Sequence, residues 1–148
     1  MTMIRDLVKA DLPHIMAIEH AAHVIPWTEE TFKMCFQPNY MGWVLEFDKK
    51  IIGFIIVTME DIECHILNLC VLPDYQHQGW GRKLLEYVLN DAKECGIGII
   101  YLEVRRSNSR AISLYHKMNF HLVGERKGYY PVVSGLEDAL IYAKSLSG

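Results

Sequence analysis

The stretch Ile66-Leu67-Asn68-Leu69-Cys70-Val71-Leu72, closed by Pro73-Asp74 and followed by Gln76-His77-Gln78-Gly79-Trp80-Gly81-Arg82, decides the fold. Its first half is an apolar run of strand length, which predicts a strand buried on both faces. Lys83 to Cys95 then recurs with helical periodicity, so the order is strand, short glycine-bearing loop, helix. At the start of a helix several backbone N–H groups lack intrahelical partners. With the positive end of the helix dipole they form a site for an anion such as a phosphate. Gly79 and Gly81 let the chain turn sharply and let a ligand approach the backbone. A tight strand-to-helix turn needs the same glycines, so the pair also has a purely structural reading. The loop is not a Walker sequence, because Arg82-Lys83 follows Gly81, and it lacks the G-x-G-x-x-G spacing of a dinucleotide site.

Upstream of this pivot, Thr2 to Lys9 alternates enough for a first strand. Asp11 is placed to cap a helix carrying Leu12, Ile15, Met16 and Ile18, with Pro13 tolerated near its start. Pro26-Trp27 breaks that pattern, and Thr28 caps a second short helix opened by Glu29 and Glu30. Met41–Phe47 and Ile51–Met59 read as a hairpin around Asp48-Lys49-Lys50. Downstream, Gly96 stops the pivot helix and Ile97 to Val104 is a strand. Ser107-Asn108-Ser109 offers caps for a helix bearing Ala111, Ile112, Leu114, Tyr115 and Met118, closed by Asn119. Phe120–Glu125 is a further strand, Gly128–Pro131 with Ser134-Gly135 a loop, and Ala139–Ala143 the last strand. A hairpin-rich front half followed by strand-helix-strand-helix-strand predicts an α/β (α+β) mixed sheet covered by helices.

The chain has 148 residues, one domain's length, and 51% hydrophobic residues, enough for a real core. No apolar run approaches the ~20 residues that span a bilayer, and the N-terminus has no signal-peptide layout. Cys35, Cys64, Cys70 and Cys95 form no C-x-x-C pair, which suits a reducing cytoplasm. A net charge of −3 argues against a nucleic-acid surface. His20 and His23 lack a third ligand of matching spacing, so no metal is expected. Cys70 lacks a neighbouring base in sequence and is a poor nucleophile candidate.

Gln76, Gly79 and Gly81 resemble the Q/R-x-x-G-x-G/A loop of the GCN5-related N-acetyltransferase (GNAT) superfamily. The resemblance runs nearly end to end and is strongest to that family's bacterial ribosomal-protein alanine N-acetyltransferases. It is carried by Asp11-Leu12-Pro13, Ile18-Glu19, Pro26-Trp27-Thr28, Leu102-Glu103-Val104-Arg105, Ser107-Asn108, Ala111-Ile112, Leu114-Tyr115, Tyr129-Tyr130-Pro131 and Glu137-Asp138-Ala139. Trp80 and Arg106 depart from it, standing where an aliphatic and a small residue are common. The resemblance implies a mostly antiparallel twisted sheet with splayed central strands and about four helices. It also implies acetyl-coenzyme A as co-substrate, its pyrophosphate held by Gln76, His77, Gln78, Gly79, Trp80, Gly81 and Arg82. The main chain of Leu69, Cys70 and Val71 is expected to meet the acetyl and pantetheine parts, provided the sheet opens there. Asn108 is expected to bond toward coenzyme A, although a helix cap claims the same side chain.

Acetyl transfer to an amine needs a neutral nucleophile, a polarised carbonyl and a proton for the departing thiolate. A free α-amine with pKa near 7.7–8.0 is already partly neutral at pH 7, so its base needs no extreme shift. The resemblance makes Glu103 that base, acting directly or through one water. From the residues alone, Glu103 reads as a strand-end glutamate in solvent or paired with Arg105. It makes Tyr115 the acid, since a phenol near pKa 10 can protonate a thiolate. A core tyrosine with a satisfied hydroxyl is the alternative. Tyr129, Tyr130 and Glu137 are candidate substrate-groove residues, nearly as well read as a tyrosine-rich surface loop. The expected activity is acetylation of an N-terminal alanine of a ribosomal protein by a monomer or weak dimer. The rivals are acetylation of a lysine side chain or small amine, and a non-catalytic acyl-coenzyme A sensor.

Overall fold

The computed structural model describes residues 1–132 and 135–146, and at 129–132, 135 and 136 the backbone alone. The elements are β1 (Thr2–Asp6), α1 (Leu12–Ala22), α2 (Glu29–Met34), β2 (Tyr40–Phe47), β3 (Lys50–Glu60), β4 (Glu63–Val71), α3 (Trp80–Glu94), β5 (Ile99–Arg105), α4 (Ser109–Lys117), β6 (His121–Val132) and β7 (Gly135–Ser145). The strands form one sheet in the order β1-β2-β3-β4-β5-β7-β6. Only β4 and β5 run parallel; every other neighbouring pair is antiparallel. This is the expected mixed sheet with four α-helices.

Local chemistry explains several joins. Asp48 (φ 48°) and Lys49 (φ 70°) are both left-handed, the two-residue turn that matches the twist of a hairpin. Thr28 Oγ1 accepts from Thr31 N at 3.2 Å and caps α2, a bond that contributes about 1 kcal/mol. Gly96 (φ 80°) and Asn119 (φ 67°) are left-handed just beyond α3 and α4, as their sequence positions predict.

Two helical layers sandwich the sheet. On one face Ile15, Ile18 and Phe32 of α1 and α2 bury against Val44, Phe54, Ile56 and Cys70. On the other, Leu84, Leu85 and Val88 of α3 and Tyr115 of α4 bury against Trp43, Ile55, Val57, Ile100 and Leu102. Neighbours such as Ile55 and Ile56 thus serve opposite cores, as period-two alternation requires. Each fully buried aliphatic side chain contributes about 1.5–3 kcal/mol.

Four expectations need correction. Asp11 stands at the start of α1 but caps no α1 amide with its side chain. Its carboxylate instead takes Arg5 bidentately, at 2.8 and 2.9 Å, and the Val8 amide at 2.9 Å. A two-pronged guanidinium is the stronger partner for a buried carboxylate. Helix α3 begins at Trp80 rather than Lys83, so Trp80, Gly81 and Arg82 form its first turn. Gly128 to Pro131 is not a loop but part of β6, and β7 begins at Gly135. Left-handed Gly128 (φ 61°) marks a register shift between Arg126 and Tyr130 within a continuous ladder, a bulge rather than a strand end. Finally, β4 is not buried on both faces: His65 and Leu67 are exposed between buried Cys64, Ile66 and Asn68.

Candidate active site

The β4 exposure has a backbone cause. Strand β4 pairs with β5 only from Glu63↔Ile99 to Ile66↔Leu102, so the two strands part beyond that point. At the same place the β3–β4 register shifts, Ile56 facing Asn68 while Val57 faces Ile66, which leaves Leu67 as an extra residue. A one-residue insertion flips every later side chain to the other face. Cys64 and Ile66 accordingly belong to the α3 core, whereas Cys70 belongs to the α1 core and Asn68 donates to Glu19.

The same alternation sorts the main-chain groups. Leu72 N donates to Ile52 O at 2.8 Å, so residues 72, 70 and 68 turn their amides toward β3, and 71 and 69 turn theirs toward the opening. The N–H and C=O of Leu69 and Val71 therefore line the gap between β4 and β5. Cys70 does not belong with them, because its groups are engaged with Phe54. Val71 O is itself taken by Gln76 Nε2 at 2.8 Å. Gln76 thus braces the start of the glycine-bearing loop on the parted strand.

That loop is shaped by two left-handed residues, His77 (φ 66°) and Gly79 (φ 89°). Gln78 Nε2 reaches Asp74 O at 3.3 Å and Gln78 Oε1 accepts from Trp80 Nε1 at 3.2 Å. Lys83, which donates to Gly79 O at 3.1 Å, is the first α3 amide with a backbone acceptor. The amides of Trp80, Gly81 and Arg82 remain for a ligand. Beyond its own turn of helix, a Cβ on Gly81 would meet nothing within 4 Å, so packing against the rest of the chain does not demand glycine there. The N-terminus of α4 lies beside this loop: Arg110 Nη1 contacts His77 Nδ1, and Asn108 Oδ1 caps Ala111 N at 3.2 Å. The cap occupies the oxygen of Asn108 and leaves its amide nitrogen for a second partner.

On the α1–α2 side the parted strands open into two adjoining clefts of about 500 and 630 Å³. Glu103, on β5, lines both, as do Trp27, Thr31, Ile66, Leu67 and Leu102. Asn108 and Tyr115 line the second. Tyr115 is 7% exposed and packs its ring on Phe120 and Tyr142, with centroids 5.8 and 6.4 Å away. Glu103 pairs with Arg126 of β6, Nε to Oε1, at 3.1 Å, not with Arg105. Arg105 instead faces Glu137 at 3.7 Å. The side chains of Tyr129 and Tyr130 lie outside the described residues. A carboxylate, a phenol and a row of main-chain donors therefore border one opening that an anion cradle also adjoins. Such a set can hold an anionic ligand, accept a proton from an amine and deliver one to a leaving group.

Two cleft residues went unassigned in the sequence reading. For Arg126, nothing local in the sequence tells which acid a strand cation meets. Glu19 is 1% exposed and lines the second cleft. Its carboxylate accepts from His23 Nδ1 at 2.9 Å, Trp27 N at 2.9 Å and Asn68 Nδ2 at 3.1 Å. Burial pushes its pKa up, but these three donors outweigh burial and hold the carboxyl below its ordinary value. The available signal was an acid on the apolar face of α1, one turn after Ile15. Glu19, His23 and Cys70 place ligand-type atoms within 4.8 Å of one another. The carboxylate is already engaged by three donors, however, and the Cys70 thiol, pushed well up by burial, donates to Ile18 O at 3.8 Å instead. Burial likewise raises Cys35 to about 11 and Cys64 to about 12. Among the described residues no helix is long and apolar enough to cross a membrane.

Comparison with known proteins places this geometry. The acetyltransferase (GNAT) family model matches residues 2–120. The [ribosomal protein bS18]-alanine N-acetyltransferase of Escherichia coli is 39% identical over 147 residues, 99% of each chain. The crystal structure of the ribosomal-protein-S18-alanine N-acetyltransferase from Escherichia coli superposes with a TM-score of 0.96 at 38% identity, over 100% of this chain and 96% of that one. Arabidopsis thaliana NAA60 in complex with acetyl-CoA shares the fold, with a TM-score of 0.88 at 20% identity over the full length of both chains.

Proposed function

This chain belongs to the acetyltransferase (GNAT) family, and from that premise we propose that it moves acetyl from acetyl-coenzyme A to the α-amine of an N-terminal alanine, the protein substrate being ribosomal protein S18. One observation carries the reading: the β4–β5 ladder stops at Ile66↔Leu102, with Glu103 and Tyr115 bordering the opening and the Gln76–Arg82 cradle beside it. The named activity of the E. coli relative, similar over the whole length, supports the substrate assignment.

The residues present fit the co-substrate. The amides of Trp80, Gly81 and Arg82 and the dipole of α3 suit a diphosphate. Left-handed Gly79 makes the bend, and the open space at Gly81 admits the ligand. The amides of Leu69 and Val71 and the carbonyl of Leu69, turned toward the gap, offer hydrogen bonds to an amide-bearing arm, and the Asn108 amide nitrogen a further one. When bound, acetyl-coenzyme A supplies the activated acyl group. Glu103 takes the proton from the amine, directly or through one water, and Tyr115 gives a proton to the departing sulfur. Tyr129, Tyr130 and Glu137 bind the acceptor peptide, and the Pro26–Thr28 segment forms part of the second cleft's wall.

Incubation with acetyl-coenzyme A and a set of acceptors, read by mass spectrometry, tests the proposal. An alanine-initiated peptide matching S18 should gain one acetyl group at its α-amine, ahead of lysine peptides and polyamines. Preferential modification of a lysine or small amine would replace the N-terminal reading. Cofactor binding with no transfer to any amine would make the chain a sensor.

A further inference from the structure

Glu19 is a buried acid held by three donors from three residues, and the reaction as proposed gives it no part. It sits on α1, yet its three donors come from three places: the His23 ring one turn on, the Trp27 amide in the α1–α2 connection, and Asn68 of β4. Asn68 immediately follows Leu67, the extra residue at which β4 turns away from β5. Trp27 and Leu67 line both clefts, and Glu103 faces them from β5.

We propose that Glu19 is a positioning residue for the acceptor: it ties the Trp27 main chain to Asn68 and so sets the wall that the acceptor meets opposite Glu103. This deepens the acetyl-transfer reading and rests on it. The wall segment from Val24 to Thr28 belongs to no helix or strand, so its place depends on individual hydrogen bonds. Oε2 holds the Trp27 N–H from the connection, and Oε1 holds Asn68 from the sheet. Removing the carboxylate leaves the Trp27 N–H, Asn68 Nδ2 and the His23 ring without this acceptor and frees the segment to shift. The glycine-bearing loop hangs from the far end of β4 and is braced by Gln76 on Val71 O, so the phosphate-holding part of the site stands apart from this tie. The split is the signature: Glu19 governs the acceptor and leaves acetyl-coenzyme A alone.

The test uses the full chain with Glu19→Ala and Glu19→Gln, measuring both KM values, kcat and backbone exchange at Trp27. Glu19→Ala should raise the acceptor KM about tenfold, with kcat and the acetyl-coenzyme A KM within about threefold of wild type. Glu19→Gln keeps one oxygen for the Trp27 N–H, and its NH2 can donate to Asn68 Oδ1 once that amide turns round, so it should recover most of that loss. Exchange at the Trp27 amide should quicken about tenfold in the alanine variant. If the alanine variant does not fold, Asn68→Ala cuts the sheet end of the tie and is expected to show the same KM split. An unchanged acceptor KM, or a joint loss of kcat and both KM values, overturns the proposal. If wild type prefers a lysine or small amine, the alanine-terminus reading falls, and the KM split is read on that amine. If it transfers to none, an unaccelerated Trp27 amide overturns the tie and an accelerated one supports it.

Discussion

Ile66 and Leu102 are the last residues to face each other across the parallel β4–β5 ladder, and Leu69, Val71 and Glu103 follow just beyond that pair. Past it, Leu69 and Val71 point their amides into the gap while Cys70 stays on the β3 ladder. Hydrogen exchange of the free protein should therefore be fast at Leu69 and Val71 and slow at Cys70. Adding coenzyme A should slow Leu69 and Val71 about tenfold or more and leave Cys70 as it was. Equal protection at all three without ligand would mean that the sheet is closed.

Glu103→Gln should lower kcat about 10²-fold or more while acetyl-coenzyme A affinity measured by calorimetry holds. The amide is isosteric and can still accept from Arg126, so the fold survives. Wild-type rates from pH 6 to 9 would remove Glu103 from the reaction.

Tyr115→Phe keeps the ring packed on Phe120 and Tyr142 and deletes only the hydroxyl. Single-turnover transfer should slow about tenfold to a hundredfold. An unaltered single-turnover rate would return Tyr115 to a purely structural role.

Gly81→Ala separates packing from ligand binding. A Cβ there meets nothing beyond its own turn of helix, and alanine favours a helix over glycine by up to about 1 kcal/mol. Thermal stability should hold or rise by about 2–4 °C, while the acetyl-coenzyme A KM rises about tenfold. A stable variant with an unchanged KM would show that no ligand approaches this turn.

Asp11→Asn tests the β1–α1 link. The hydrogen bonds from the Arg5 guanidinium, opposed by burial and aided by the Val8 amide, hold the Asp11 carboxyl below its ordinary value. Unfolded chain then binds more protons than folded chain in acid, so this stability is fully present above about pH 4 and is lost as pH falls through the depressed folded value. Asp11→Asn should cost about 1.5–3 kcal/mol at pH 7 and progressively less in acid. Urea unfolding at several pH values checks this, and a gap independent of pH would contradict it.

What the sequence alone determined is the local part. Asp48, Gly79, Gly96 and Asn119 announce their turns because left-handed backbone favours few residue types. Thr28 and Asn108 announce their caps because only short polar side chains reach the free amides. The anion cradle was legible for the same reason, being strand, glycine turn and helix start in one short run. Tertiary structure alone decided where the sheet parts, which of Leu69, Cys70 and Val71 shows its amides, and that Glu19 meets an asparagine 49 residues away. A one-residue bulge opposite Ile56 and Val57 sets all three, and neither that bulge within the β3–β4 hairpin nor the end of the β4–β5 pairing leaves a mark in the sequence near it.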